Sequence, residues 1–178
     1  SMEVISHSYS HLYFLPTTAF RFFTVYGPYG RPDMAPHKFT SSILAKKEID
    51  VYNYGNMERD FTFVDDLVTA ILKLAEIPPK AEKKQASNIS GSPVAPWRVV
   101  NIGNSRPVKL LDFIISLEKA LGIKAKKNLM PLQAGDVVAT WADVSLLREL
   151  TGFVPETRLN DGIQKFVDWY RKYYGNLH

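Results

Sequence analysis

TTAFRFFTVYGPYGRPDM, residues 17–34, is the stretch on which the fold turns. Its first part, Thr17 to Gly27, is mostly β-branched and aromatic and predicts a strand, because such side chains pack well on a pleated surface. Gly27-Pro28 break the strand, and Gly30 and Pro32 extend the turn. Strand ends of this kind carry ligands in open α/β sheets. Here the strand end brings a threonine hydroxyl, Thr24, and a guanidinium, Arg31, to one cleft edge, with room for an anion between them. Arginine grips a carboxylate or phosphate through two parallel bonds, and threonine adds a neutral donor. The same spacing equally fits a structural turn carrying a surface arginine.

Before this stretch, residues 1–14 place Met2, Ile5, Tyr9, Leu12 and Tyr13 at helical spacing, with Pro16 ending the helix. No capping residue precedes that pattern, so the chain reads as a piece of a longer polypeptide. Downstream, HKFTSSILAKKE (37–48) predicts a helix, IDVYNY (49–54) a short strand, Gly55-Asn56 a turn and RDFTFV (59–64) another strand. DDLVTAILKLAEI (65–77) predicts a helix stopped by Pro78-Pro79, and the polar stretch 78–98 an exposed loop. RVVNIG (98–103) reads as a buried strand, LLDFIISLEKALG (110–122) as a helix closed by Gly122, and KKNLMPL (126–132) as a strand or extended arm. DVSLLRELTG (143–152) and LNDGIQKFVDWYRKYYG (159–175) are helices, the latter with Ile163, Phe166, Val167 and Tyr170 on one face and Trp169 and Tyr173 packing beside them. Helices alternating with strands make the class α/β. TTAFRFF and RVVNIG read as members of a larger parallel sheet whose other strands are missing.

The 178 residues suffice for one domain, or most of one, with a real core. Hydrophobic residues at 46% and charged residues at 22% exclude a disordered chain. The absence of cysteine excludes disulfides and thiolate metal sites and makes the cytoplasm the default compartment. No apolar run approaches the roughly 20 residues of a membrane span. A net charge of +4 is scattered along the chain, so nucleic acid is not an expected partner.

Several other groupings have plain readings. His7 and His11 stand four apart on a helix, but with no third ligand they read as surface or half-buried histidines, and no metal is expected. Asp65 and Asp66 are neighbours on a helix and diverge by about 100°, so they suit its amino terminus rather than a shared proton. Lys46-Lys47 and Lys83-Lys84 are solvated charge without an aromatic platform.

HSYSHLYFLPTTAFRFFTVYGPYGRPDM (7–34) and IDVYNYGNMERDFTFVDDLVTAI (49–71), continued by RVVNIGNSRPVKLLDFI (98–114) and QAGDVVATWADVS (133–145), resemble the second half of UDP-glucuronate 4-epimerases. These are extended short-chain dehydrogenases/reductases. The resemblance covers essentially the whole chain and implies the C-terminal, UDP-sugar-binding part (1–178) of such an enzyme. The glycine-rich dinucleotide loop and the Tyr-x-x-x-Lys pair of the family are not in this sequence. NAD would then be held mainly by a preceding half, and no catalytic residue lies in this chain.

Carried over residue by residue, the resemblance implies that Thr24 bonds the sugar carboxylate and Arg31 pairs with it. Arg59 would contact the diphosphate, Tyr52 would pack the uridine, Asp136 would lie near the ribose, and the backbone at Lys38 and Phe39 would meet the uracil. Gln133 stands where UDP-galactose epimerases often carry an arginine, which leaves more of the load on Arg59. The implied reaction interconverts UDP-glucuronate and UDP-galacturonate through a 4-keto sugar, with this chain inactive alone. The missing N-terminal fragment or a homodimer partner would be its protein contact. A UDP-glucuronate decarboxylase or a nucleotide-sugar 4,6-dehydratase shares this architecture; YGPYGRPDM (26–34) favours the uronate epimerases. A non-catalytic nucleotide-sugar-binding module and a purely structural interaction domain are readings of another class.

Overall fold

The computed structural model describes residues 2–81 and 90–175. In chain order the elements are α1 (Met2–Tyr13), β1 (Thr17–Phe22), β2 (Thr24–Tyr26), α2 (Ala35–Leu44), β3 (Glu48–Val51), a 3₁₀ turn (Tyr52–Gly55), β4 (Glu58–Phe63) and α3 (Val64–Ala75). They continue with β5 (Trp97–Ile102), β6 (Pro107–Lys109), α4 (Leu110–Leu121), β7 (Lys126–Leu129), α5 (Ser145–Thr151) and α6 (Leu159–Tyr174). The α/β class follows directly.

The stretch predicted as one strand over 17–27 is two. β1 runs parallel to β5, from Thr17 opposite Trp97 to Phe22 opposite Ile102. At Phe23 the chain leaves that pair, and β2 takes up β4 in parallel, Thr24 opposite Phe61. Residue-type propensity carries no sign of a change of partner, so the break is invisible in composition. The two segments expected to lack neighbouring strands, TTAFRFF and RVVNIG, are each other's partner. β4 also pairs antiparallel with β6, which the sequence pattern did not reveal because three residues are too few to show alternation. β3 and β7 form a separate parallel pair, so the arm over 126–132 is a strand at its start. The predicted loop over 78–98 gives up its last two residues to β5; its residues 82–89, with Lys83-Lys84, lie outside the described residues.

Two apolar clusters fill the interior. The first joins Tyr26, Phe61 and Phe63 from the three-stranded sheet to Phe113 of α4 and to Ile163 and Phe166 of α6. Phe61 and Phe113 stack with ring centres 4.3 Å apart. The second sets Leu67, Ala70 and Leu74 of α3, spaced three and four apart, against Val100 and Ile102 of β5 and Leu147 of α5. Asp66, in the first turn of α3, accepts bonds from the Glu156 and Thr157 amides at 3.1 and 2.8 Å, while Asp65 points toward Lys165 at 3.9 Å. The two carboxylates thus diverge as expected.

α1 lies against β1 and β5. His11 Nδ1 donates to the Val94 carbonyl at 2.8 Å, and His7 Nε2 shares a hydrogen bond of the same length with Ser92 Oγ. The two histidines therefore tie the helix to the segment before β5. The other face of α1 exposes Met2, Ile5, Tyr9, Leu12 and Tyr13 to solvent, and among the described residues β1 pairs with β5 alone. Among the described residues no helix is long and apolar enough to cross a membrane, and no group of three or more His, Cys, Asp or Glu is placed to hold a metal.

Candidate functional site

The site is assembled between β2, α2, β3, the 3₁₀ turn and β4. In β3, Ile49 and Val51 face the core, and the alternation turns Glu48 and Asp50 outward. Tyr52 follows at the start of the 3₁₀ turn, where Asn53 and Tyr54 both adopt left-handed backbone, φ 49° and 52°. That strain is held by Asn53 Nδ2 donating to the Asn56 carbonyl at 2.7 Å and by the Tyr54 amide donating to Met130 at 2.9 Å. α2 begins with Pro at its first turn and has neither a capping side chain nor an acidic residue there, leaving its positive end uncompensated.

Between these elements lie two adjoining hollows. The inner one, about 220 Å³, is lined by Thr24, Phe39, Tyr52 and Arg59. The outer one, about 540 Å³, takes in Lys38, Phe39, Tyr52 and Asp136. Ala35, Phe39, Asp50 and Tyr52 border both, so they form one cleft. Arg59, on the wall of the inner hollow, is held in place by the protein's own groups. Its Nη1 donates to the Glu58 carbonyl at 2.9 Å and to Val138 at 3.2 Å, and Nη2 lies 3.9 Å from the Asp136 carboxylate.

Arg31 is placed differently. It borders a neighbouring hollow of about 360 Å³ that meets the inner one at Met34. Its guanidinium forks onto Asp33 through Nε and Nη2, and its side chain is 75% exposed. The same contact holds the Asp33 carboxyl below the usual aspartate range. Thr24 and Arg31 therefore stand on either side of Met34 rather than facing each other across one anion site.

The polarity of the cleft is graded. The outer hollow presents Asp33, Glu48, Asp50 and Asp136 against Lys38, a set that accepts hydrogen bonds from hydroxyls and N–H groups. The inner hollow is mostly apolar, walled by Met34, Phe39, Met57, Phe61 and Leu110, and carries the Arg59 guanidinium and the Asp50 carboxylate; Arg59 is the group there that can bind a phosphate. Asp50 borders both hollows and accepts a bond from Asn128 Nδ2 at 2.8 Å. It was missed in the sequence, although the apolar Ile49 and Val51 on either side predict that it faces outward. By contrast, an apolar groove of about 530 Å³ between α2 and α6 is walled by Leu44, Tyr170 and Tyr174, and its Arg171 is spent on the Leu121 carbonyl at 2.7 Å. α3 and α4, which follow directly on β4 and β6, carry Asp65, Asp66 and Asp112 in their first turns, which repel a dinucleotide pyrophosphate.

The model of the NAD dependent epimerase/dehydratase family matches residues 1–90. A probable UDP-glucuronate 4-epimerase of Rhizobium meliloti (strain 1021) is 48% identical over 181 residues, covering 100% of this chain and 53% of that protein. UDP-glucuronate 4-epimerase 4 of Arabidopsis thaliana is 45% identical over 176 residues, 97% of this chain and 40% of that one. Among solved structures, the UDP-glucuronic acid 4-epimerase of Bacillus cereus in complex with UDP-glucuronic acid and NAD superposes with a TM-score of 0.80 at 31% identity, covering 97% of this chain and 50% of that chain. The chain spans about half the length of the bacterial relatives it matches.

Proposed function

The chain belongs to the NAD dependent epimerase/dehydratase family, and on that premise we propose that its cleft grips the UDP-sugar of an enzyme interconverting UDP-glucuronate and UDP-galacturonate. The graded polarity of the cleft carries the reading. A nucleoside diphosphate carries hydroxyl and N–H donors at one end and negative charge at the other; the outer hollow offers Asp33, Glu48 and Asp136, and the inner hollow offers Arg59 on a largely apolar wall, with Asp50 shared by both. In this assignment Arg59 binds the diphosphate, Asp136 the ribose hydroxyls, Tyr52 packs the uridine, and the backbone at Lys38 and Phe39 meets the uracil. Thr24, which lines the inner hollow, bonds the sugar carboxylate. Arg31 borders the neighbouring hollow, so pairing with that carboxylate requires it to release Asp33 and swing past Met34 into the inner hollow.

NAD, which the family's name implies, supplies hydride chemistry when bound. The acidic helix starts of α3 and α4 do not fit its pyrophosphate, so it is assigned mainly to residues beyond this chain, and the chain by itself to binding without turnover. The exposed face of α1 and the edge of β1 that carries no strand among the described residues fit a protein partner, either further residues of the same polypeptide or a second copy.

Calorimetric titration of the chain tests the reading. UDP and UDP-glucuronate are expected to bind, and Arg59→Ala to weaken UDP by about 10- to 100-fold. A chain that ignores UDP at millimolar concentration overturns the assignment. In an enzyme that turns over, Arg31→Ala is expected to raise the UDP-pentose by-product relative to UDP-galacturonate, because a uronate 4-ketone is a β-keto acid that loses carbon dioxide, its bonding electrons passing to the ketone as an enolate that is then protonated, unless the carboxylate is held. An unchanged product ratio assigns Arg31 to the surface.

A further inference from the structure

We propose that Asp60 is the positioning residue of the diphosphate grip, acting through a strap formed by residues 138–142; the inference rests on the UDP-sugar reading above. Asp60 is fully buried, one step along β4 from Arg59 and on the opposite face of the strand. A buried carboxylate is costly unless every oxygen is satisfied. This one is met by the Asn104 amide at 2.8 Å, the Ser105 amide at 2.9 Å, the Ala142 amide at 2.9 Å and the Thr62 hydroxyl at 3.4 Å.

The donors are built around it. Ser105 has φ 58°, which turns two successive amides toward a single anion. Gly103 stands so close that a methyl group there would come within 2.8 Å of the Asp60 Oδ2 atom. Ser105 Oγ then donates to the Ala142 carbonyl at 2.7 Å, stitching the turn after β5 to the strap.

The strap in turn aims the arginine. The Glu58 amide donates to Val138 at 2.9 Å, and the Thr140 amide donates back to Glu58 at 3.2 Å, so residues 138–140 lie along the start of β4. Val138 is also the carbonyl that receives Arg59 Nη1, and the nearby Asp136 faces Nη2. Asp60 therefore fastens one end of the strap at Ala142, and Arg59 is held by the other end at Val138. None of these bonds reaches Lys38, Phe39 or Tyr52, the residues assigned to the uridine.

The selective consequence is measurable in the full chain by titration with UDP and, by NMR, with uridine. Asp60→Asn keeps the side chain's shape but sets an NH₂ group against backbone amides. It is expected to lower UDP affinity about tenfold while leaving uridine affinity within about twofold. Arg59→Ala should give the same selective loss, and the double variant should lose no more than Arg59→Ala alone. Should Asp60→Asn fail to fold, Ser105→Ala removes only the stitch to Ala142 and is expected to cut the UDP-to-uridine affinity ratio by about threefold. A ratio that stays at the wild-type value, two affinities that fall together, or losses that add in the double variant overturn the positioning role alone. A wild-type chain that binds neither ligand overturns the nucleotide reading, and this role with it.

Discussion

The two sides of this molecule are finished to different degrees. Around the cleft, the β2–β4–β6 sheet is roofed by α4 and α6, and Phe63, Phe113 and Phe166 are at most 1% exposed. On the far side, α1 leaves Met2 81%, Leu12 66% and Tyr13 63% exposed, and β1 has a partner strand on one edge. Apolar area removed from water stabilises a fold in proportion to its extent. Stability is therefore concentrated around the β2–β4–β6 sheet, and α1 adds surface rather than core.

The sharpest test of that contrast is a matched pair of truncations. Phe113→Ala removes a ring that stacks on Phe61 and touches Tyr26, and it is expected to cost about 3–5 kcal/mol in urea denaturation. Leu12→Ala, on the exposed face of α1, is expected to cost less than about 0.5 kcal/mol. Similar costs at the two positions would erase the distinction.

The next effect is tied to pH. Glu118 of α4 is nearly buried, and burial by itself opposes its ionisation. Bonds from Lys127, Lys124 and the Ala125 amide outweigh that and hold the carboxyl at about 2. Because the folded value lies below the unfolded one, the stabilisation is complete above about pH 4.5 and drains away as pH falls toward 2. Glu118→Gln should therefore cost about 3 kcal/mol at neutral pH, and the gap to wild type should close across that acid window in denaturation curves. A gap independent of pH would mean that the lysines contribute packing and not charge.

A smaller loss is expected at Gly162, where α6 crosses the sheet. Alanine would favour the helix by about 1 kcal/mol. Its methyl group, however, would overlap the Tyr26 hydroxyl and come within 2.9 Å of Phe63. Overpacking of a rigid aromatic pair outweighs propensity, so Gly162→Ala should lower the melting temperature by a net cost of about 1–2 kcal/mol. A rise in melting temperature would show that Tyr26 can move aside.

Most of this architecture was legible in the residues because the helices announce themselves. The 3–4 spacing in DDLVTAILKLAEI and LNDGIQKFVDWYRKYYG marks α3 and α6 before any coordinate is known. The breaks were not legible. TTAFRFFTVYG has one composition from end to end, and only the pairing of Thr17–Phe22 with β5 and of Thr24–Tyr26 with β4 divides it. At the cleft, the motifs carried Thr24, Tyr52 and Arg59 to a shared wall. They gave no warning that Asp33, two residues on, would take the fork of Arg31. Asp60 was passed over for a related reason. A buried carboxylate is identified by the amides that converge on it, and Asn104, Ser105 and Ala142 come from distant points of the chain.

The smallest expected effect on folding belongs to the double variant Ile5→Lys with Leu12→Lys. Both side chains are more than half exposed, so two lysines can keep their charged ends in water without opening the packing of α1 on β1 and β5. The helix keeps its hold through Ser10, which is fully buried, and through the His7 and His11 bonds on the opposite side. The melting temperature should move by no more than about 2 °C. Sedimentation velocity is the measurement that should respond. If the apolar face of α1 takes a second copy of the chain, the wild type associates with rising concentration and the variant does not. A variant that loses its cooperative melt would show instead that this face stabilises the fold by itself, and the contrast between the two sides of the molecule would fail at the place where it predicts the least.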